Sequence, residues 1–254
     1  MTWAHATNSY KQFKDAVDST KIEAIECDVM MNNEHPAKPI LSHPPSRESD
    51  ITVSQMLEVQ IHKKDKCLKK HLKLDFKEIE ALEPTLDQIF KADFTNELGK
   101  EIFLNADILA GPGFAPNHPS IVSPSDFLGT CLDYIQRLKK KDPKMMFGFS
   151  LGFKADYKSE EGYLTSQVLQ MANLVGHYNI ASSDARIILA LNARQLSKSL
   201  LVFDAFLSAY PGSTILAWTG SGEPPIAADE IQRITNYYES KHMRDKIEFD
   251  CCIE

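Results

Sequence analysis

The chain has 254 residues, of which 43% are hydrophobic and 25% are charged, as in an ordinary globular protein. Lysine and arginine number 28 against 35 acidic residues, so the formal net charge is −7. This balance excludes a nucleic-acid binder that relies on bulk positive charge. The 11 glycines and 13 prolines exclude collagen-like and low-complexity chains, and no apolar run approaches the roughly 20 residues that span a bilayer, so no transmembrane segment is expected.

The beginning of the chain and its cysteines predict a cytoplasmic protein. The first residues, Met1-Thr2-Trp3-Ala4-His5, lack the basic and apolar regions of a signal peptide. A leader removed beforehand would instead make the natural protein a secreted one. The five cysteines form neither a disulfide framework nor a zinc-binding spacing, so free thiols in a reducing compartment are expected.

Apolar periodicity predicts strands and helices in regular alternation. In chain order the predicted elements are strand Thr2–Ala6, helix Tyr10–Val17, strand Ile22–Val29, helix Ile51–Ile61, strand Leu72–Phe76, helix Glu78–Phe90, strand Glu101–Ile108, helix Phe127–Leu138, strand Met145–Leu151, helix Leu164–Val175, strand Ala185–Leu191, helix Leu196–Leu207, strand Ser213–Trp218, helix Ile231–Tyr238 and strand Lys246–Asp250. Asn8 or Ser9 is the expected N-cap of the first helix, and Thr52 that of the second. Pro84 is expected to kink the third helix or to start a second one.

Eight strands, with a helix after each of the first seven, predict an α/β fold of the (β/α)8 TIM-barrel type, as a single domain over residues 1–254. An open doubly wound sheet is the alternative that periodicity leaves open. No G-x-G-x-x-G loop follows a strand, and no Walker A sequence is present, so neither of these nucleotide-binding loops is predicted.

Polar side chains cluster at the carboxyl ends of the predicted strands, where barrel enzymes place their active sites. The residues at these positions are His5, Glu26, Asp28, Lys73, Asp75, Lys77, Asn105, Asp107, Trp218 and Thr219. Side chains alternate along a strand, so Glu26 and Asp28 share a face. His43 follows a short apolar run, Pro39-Ile40-Leu41, that is expected to return toward the same end.

Carboxylates that converge on one face repel each other and are costly to desolvate unless a cation joins them. Oxygen ligands suit a hard divalent cation, Mg²⁺ or Ca²⁺. Two histidines nearby suit general acid and base roles, and lysines suit an anionic group, which together favour phosphodiester cleavage. The alternative to a catalytic site is a structural one. His5 and His43 would then be structural histidines, and Asp75 would form an ion-pair network with Lys73 and Lys77.

Five segments together resemble the menorin family, also called family with sequence similarity 151. They are Trp3-Ala4-His5-Ala6, Glu26-Cys27-Asp28-Val29, Ser42-His43-Pro44-Pro45, Leu72-Lys73-Leu74-Asp75-Phe76-Lys77 and Leu104-Asn105-Ala106-Asp107-Ile108. The resemblance runs over nearly the whole chain and is closest to the B-type members. That family is similar to the glycerophosphodiester phosphodiesterase and spider-toxin phospholipase D superfamily, which uses a TIM-type barrel.

The resemblance implies a metal-dependent phosphodiesterase, glycerophosphodiesterase or phospholipase-D-like, that acts on a phosphodiester or lysophospholipid-like small molecule. It implies that the metal ligands are Glu26, Asp28 and Asp75 and that the catalytic residues are His5, His43 and Lys77. The residues expected to line the substrate pocket are Lys73, Asn105, Asp107, Trp218 and Thr219. A catalytically inactive barrel that serves as a protein-interaction or signalling module is the alternative. A sugar-processing barrel that uses Asp28 and Asp107 ranks last.

Overall fold

The computed structural model describes residues 1–62, 69–92, 100–183, 185–220 and 222–251. Parallel strands alternate with helices along the chain, which confirms the predicted α/β class of the (β/α)8 TIM-barrel type. The residues group into two compact units. The first comprises Met1–Ala106 and Val122–Gly148, and the second comprises Asp107–Ile121 and Phe149–Glu254. That the whole chain forms a single domain stays a prediction.

The first unit consists of strands that lie side by side in chain order, with helices between them. Its elements are β1 (Trp3–Ala4), α1 (Tyr10–Asp18), β2 (Ala24–Met31), β3 (Pro39–Leu41), α2 (Val53–Ile61), β4 (His71–Phe76), α3 (Leu82–Lys91), β5 (Glu101–Ala110, which continues into the second unit) and α4 (Pro124–Lys141). The strand order is β1-β2-β4-β5, with every neighbouring pair parallel. A doubly wound sheet would reverse its strand order at a switch point, and this order does not reverse.

Local signals in the sequence account for the helix starts in this unit. Ser9, one of the two expected caps, accepts a hydrogen bond from the Gln12 N–H at the start of α1. Thr52 caps α2 as predicted, and it forms a capping box with Gln55. Helix α1 then buries the face that carries Phe13, Ala16 and Val17, at the spacing of an amphipathic helix.

Strand β2 is buried on both of its faces. Ile25, Cys27 and Val29 lie on one face and are fully buried. Because side chains alternate, Glu26 and Asp28 lie on the other face, where they are only 1% and 2% exposed. The strand therefore places two carboxylates in the interior of the unit.

Strand β3 is an addition to the eight predicted strands. It pairs antiparallel with the end of β2, with Leu41 opposite Val29 and Pro39 opposite Met31. Pro39 is its first residue, a position where a proline is tolerated in a strand. The apolar run at 39–41 thus turns back along β2 from its last residue, and it brings the following segment, which carries His43, to the level of Asp28.

The second unit repeats the same pattern of parallel strands and helices. Its elements are β6 (Met146–Lys154, which begins in the first unit), α5 (Thr165–His177), β7 (Arg186–Asn192), α6 (Ala193–Ser197), α7 (Asp204–Ala209), β8 (Thr214–Trp218), α8 (Ala228–Ser240) and β9 (Ile247–Asp250). The strand order is β6-β7-β8-β9, again without a reversal. Within the described part of the chain, no helix has the length and apolar character that crossing a membrane requires.

The single helix predicted over Leu196–Leu207 is instead two helices, α6 and α7, separated by a 3-10 turn. Two hydroxyl groups explain the interruption. Ser197 Oγ donates to the Arg194 carbonyl, and Ser199 Oγ donates to the Gln195 carbonyl while accepting the Tyr163 N–H. Such local side-chain hydrogen bonds compete with the regular helical pattern.

Candidate metal centre

Three carboxylates converge in the first unit, those of Glu26 and Asp28 on β2 and of Asp75 on β4. One oxygen atom from each lies within 4.8 Å of one from each of the others. The strand register explains the convergence, because Asp28 pairs with Asp75 and Asp75 pairs with Asn105 on β5. Residues paired in this way project from the same face of a sheet.

Glu26 is held by the segment that follows β1. The Ala6 N–H donates to Glu26 Oε2 at 2.6 Å, and the Thr7 N–H and hydroxyl both donate to the Glu26 carbonyl oxygen. Ala6 adopts a φ of +50°, an uncommon left-handed conformation for a residue with a Cβ. Burial raises the pKa of the Glu26 carboxyl, and the neighbouring Asp28 raises it further.

Asp28 is bound on both of its carboxylate oxygens. Asn8 Nδ2 donates to Asp28 Oδ2 at 2.6 Å, and the Lys77 ammonium lies 2.8 Å from Asp28 Oδ1. The Asp28 N–H also donates to Asn8 Oδ1 at 2.9 Å, so the Asn8 side chain makes two hydrogen bonds to one residue.

Asp75 shares the same lysine with Asp28. Lys77 Nζ lies 2.5 Å from Asp75 Oδ2, and Asn105 Nδ2 donates to Asp75 Oδ1 at 2.5 Å. Burial by itself raises the pKa of Asp75, but the charges of Lys77 and Lys73 and the two hydrogen bonds outweigh it and hold that pKa below its ordinary value. Asp75 therefore carries a negative charge at neutral pH.

A second lysine lies beside Glu26. Lys73 on β4 pairs in register with Glu26, and it is only 3% exposed. Its ammonium nitrogen lies 5.9 Å from the centre of the Trp3 ring, within the range of a cation–π contact. With all groups ionised, three carboxylates face two ammonium groups, so these five side chains carry a net charge of −1.

The two predicted catalytic histidines lie in different surroundings. His5 directly follows β1. Its charge lowers the pKa of Glu26, so the His5 side chain lies within electrostatic reach of the Glu26 carboxylate. His43 is exposed, and its Nδ1 lies 2.7 Å from the Pro44 carbonyl oxygen. Its segment is tied to β2 because the Ser42 N–H donates to the Asp28 carbonyl. A catalytic role for either histidine stays a prediction.

An ion pair that the sequence did not reveal holds the segment that carries His43. Arg47 donates two hydrogen bonds to the Glu78 carboxylate, at 2.9 and 2.6 Å, and a third to the Met31 carbonyl. Glu78 Oε1 in turn accepts the Met31 N–H. The pair thus connects the end of β2 to the residue that follows Lys77.

Comparison with known proteins identifies the family of this chain. A family model described as the Menorin N-terminal domain matches residues 1–245. The chain belongs to the menorin family. Protein FAM151B of Homo sapiens is 26% identical to it over 246 residues, which is 96% of this chain and 80% of that protein.

Among solved structures, the crystal structure of S. officinalis PLC21 is similar to this menorin-family chain with a TM-score of 0.40 at 10% sequence identity. The similarity covers 85% of this chain and 28% of that one, so the present chain spans well under half the length of that protein.

The residues of this site fit a hard divalent cation. The three carboxylates supply oxygen ligands, which Mg²⁺ and Ca²⁺ prefer. Asn105, itself only 3% exposed, has a buried Oδ1 with no hydrogen-bond partner in the described part of the chain. A buried amide oxygen of this kind is a further ligand that such ions accept.

Three predicted pocket residues lie in the second unit of this menorin-family chain. Asp107 lies 3.6 Å from the Lys154 ammonium, and the Thr219 N–H donates to the Asp250 carbonyl. Trp218 pairs in register with Asp250 on β9. Their contribution to a substrate pocket stays a prediction.

Proposed function

We propose that this chain is a divalent-cation-dependent phosphodiesterase, glycerophosphodiesterase or phospholipase-D-like, that acts on a phosphodiester or lysophospholipid-like small molecule. The observation that carries the proposal is the convergence of Glu26, Asp28 and Asp75, with Lys77 bound to two of the three. A cluster of buried carboxylates next to a lysine offers both a cation site and a positive group for a phosphate.

Each group then has a role in the proposed reaction. Glu26, Asp28 and Asp75 hold the cation, Mg²⁺ or Ca²⁺, which supplies positive charge against the negative charge that develops on the phosphate. Lys77 neutralises a non-bridging phosphate oxygen. Either histidine, His5 or His43, removes the proton from the attacking hydroxyl, and the other protonates the leaving oxygen.

The nature of the attacking hydroxyl decides the product. Attack by water gives a hydrolysed ester, and attack by the substrate's own hydroxyl gives a cyclic phosphate. The residues proposed to contact the remainder of the substrate are Lys73, Asn105, Asp107, Trp218 and Thr219.

The cation site is tested by calorimetric titration of Mg²⁺, Ca²⁺ and Mn²⁺ into the wild type and the Asp28→Asn variant. We expect binding to the wild type and its loss in the variant, because the substitution removes one ligand charge with almost no change of shape. Asp133→Asn, at a position on α4 whose side chain is 67% exposed, is the matched control and should bind as the wild type does. No binding to the wild type, or equal binding to Asp28→Asn, contradicts the proposal.

The reaction is tested with glycerophosphocholine and lysophosphatidylcholine as probe substrates for the wild type, His5→Ala and His43→Ala. We expect turnover by the wild type, and its loss in both variants with an unchanged circular dichroism spectrum. Normal turnover in both histidine variants would exclude this assignment of acid and base.

One observation favours a second candidate, a catalytically inactive barrel that serves as an interaction or signalling module. The Lys77 ammonium already bonds to Asp28 and Asp75, so the fold carries an internal cation for two of the three carboxylates. If Lys77 is the only cation that these carboxylates bind, the titration above will detect no binding of a divalent cation to the wild type.

A further inference from the structure

The Asn8 side chain uses both ends of its amide on a single residue, Asp28. Its Oδ1 accepts the Asp28 N–H at 2.9 Å, and its Nδ2 donates to Asp28 Oδ2 at 2.6 Å. The Asp28 N–H belongs to β2 and has a fixed position. Asn8 is therefore anchored by the backbone of the strand, and it presents its amide nitrogen to the carboxylate from a fixed point.

The two bonds to the Asp28 carboxylate come from different parts of the fold. Asn8, on the segment after β1, binds Oδ2, and Lys77, beyond β4, binds Oδ1. With a donor on each oxygen, the plane of the carboxylate is held in one orientation. Lys77 has a role in the proposed reaction, whereas Asn8 contacts neither the cation nor the phosphate in that proposal.

The geometry around Asn8 differs from that of a helix cap, the role that the sequence allows for it. Ser9 is the residue that caps α1. The segment that contains Asn8 instead contacts both carboxylates of β2, because the Ala6 N–H binds Glu26 and the Asn8 amide binds Asp28. The left-handed conformation of Ala6 belongs to the same short segment.

We propose that Asn8 is a positioning residue of the cation site, which acts through Asp28 by fixing the orientation of its carboxylate. The inference rests on the proposed function, in which Glu26, Asp28 and Asp75 hold a divalent cation. Hydrogen bonds to a ligating group orient it before the cation arrives, and their removal typically weakens metal affinity by about 10- to 100-fold.

The test is calorimetric titration of Mn²⁺ and Mg²⁺ into the wild type, Asn8→Ala and Ser9→Ala, with no substrate present. Asn8→Ala removes both hydrogen bonds to Asp28. Ser9→Ala is the matched control, because Ser9 is adjacent to Asn8 in the chain. This substitution removes the side-chain cap of α1 and leaves the contacts of Asp28 in place. Asn8→Ser replaces the alanine variant if that one does not fold, since a serine hydroxyl is too short to reach the carboxylate.

We expect Asn8→Ala to bind both cations about 10- to 100-fold more weakly than the wild type and Ser9→Ala to bind them equally well. Equal affinity of Asn8→Ala and the wild type overturns the positioning role and leaves the proposed function standing. An equal loss in Ser9→Ala overturns it too, because the effect would then follow the stability of α1. No cation binding to the wild type overturns both the inference and the proposed function.

Discussion

Lys77 shows at the level of a single residue how the fold tolerates buried negative charge. Its ammonium nitrogen lies 2.8 Å from an oxygen of Asp28 and 2.5 Å from an oxygen of Asp75, and its side chain is only 17% exposed. Two aspartates paired across adjacent strands would otherwise face each other with little water to screen their charges. The lysine therefore supports the folded state as well as the proposed chemistry.

Replacement of Lys77 by methionine should make stability depend on a divalent cation. In the presence of a chelator, Lys77→Met should lower the free energy of unfolding by about 3 kcal/mol, because breaking a buried pair leaves charges uncompensated. Added Mg²⁺ should restore much of this loss. Urea denaturation with EDTA and with Mg²⁺ measures both effects.

The matched control is Lys11→Met, which removes an exposed lysine that pairs with Asp15 on α1. An exposed pair of this kind contributes less than about 1 kcal/mol, so little change is expected with or without the cation. If Lys77→Met in EDTA were as stable as the wild type, Lys77 would not compensate the two aspartates.

Residue patterns predicted the carboxylate cluster and placed Lys77 and Asn105 in the same site, but they assigned neither Asn8 nor the Arg47–Glu78 pair to it. Glu26 and Asp28 share a face because strand side chains alternate, and Asp75 follows from its place on the next parallel strand of the predicted order. Asn8 could not be assigned in the same way, since an asparagine before a helix is also a good cap and only the three-dimensional pairing decides between the roles. The Arg47–Glu78 pair joins residues 31 positions apart, and no local pattern marks such a contact.

At the level of elements, periodicity predicted the strands and most helices but missed two features that depend on side-chain hydrogen bonds or chain reversal. The predicted strand Leu72–Phe76 differs by one residue from β4, because its apolar alternation is regular. The break between α6 and α7 follows from serine hydroxyl bonds that apolar spacing does not register. Strand β3 has only three residues, too few for a period to be recognised.

The Arg47–Glu78 pair joins the loop after β3 to the last residue of β2 and to the loop after β4, and its contribution to stability should depend on pH. Partial burial by itself raises the pKa of Glu78, but the hydrogen bonds from Arg47 and the Met31 N–H and the charge of Arg47 outweigh it, so that pKa lies below its ordinary value of 4.5. A carboxyl whose pKa is lowered by folding stabilises the fold above its unfolded pKa, and this contribution is lost as the pH falls through the folded value.

Glu78→Gln should therefore destabilise the protein at about pH 7, and the difference from the wild type should shrink as the pH falls below about 4.5. Urea denaturation of both proteins at a series of pH values measures the difference. Glu58→Gln, at an exposed position on α2, is the control and should follow the wild type throughout. A difference between Glu78→Gln and the wild type that stays constant into the acid range would show that the ionised carboxylate is not the stabilising group.

At the scale of the whole molecule, the candidate cation ligands all belong to the first of the two compact units. Strands β2 and β4 supply the three carboxylates, and their parallel pairing brings the ligands together. Any opening that separates these two strands would break the site. A bound cation should therefore oppose such openings specifically.

Amide hydrogen exchange under native conditions should show this effect as a difference between strands. At a concentration of Mg²⁺ about 100 times its dissociation constant, binding stabilises the competent state by about 2.7 kcal/mol, so amides of β2 and β4 that exchange through the separation of these strands should slow by about 100-fold. The exchange rates of amides in β8 and β9, in the second unit, should change little where these amides exchange through local openings. The Asp28→Asn variant should show no slowing in either unit, since its site has lost a ligand charge. Slowing confined to β8 and β9, or slowing that persists in Asp28→Asn, would place the cation away from Glu26, Asp28 and Asp75.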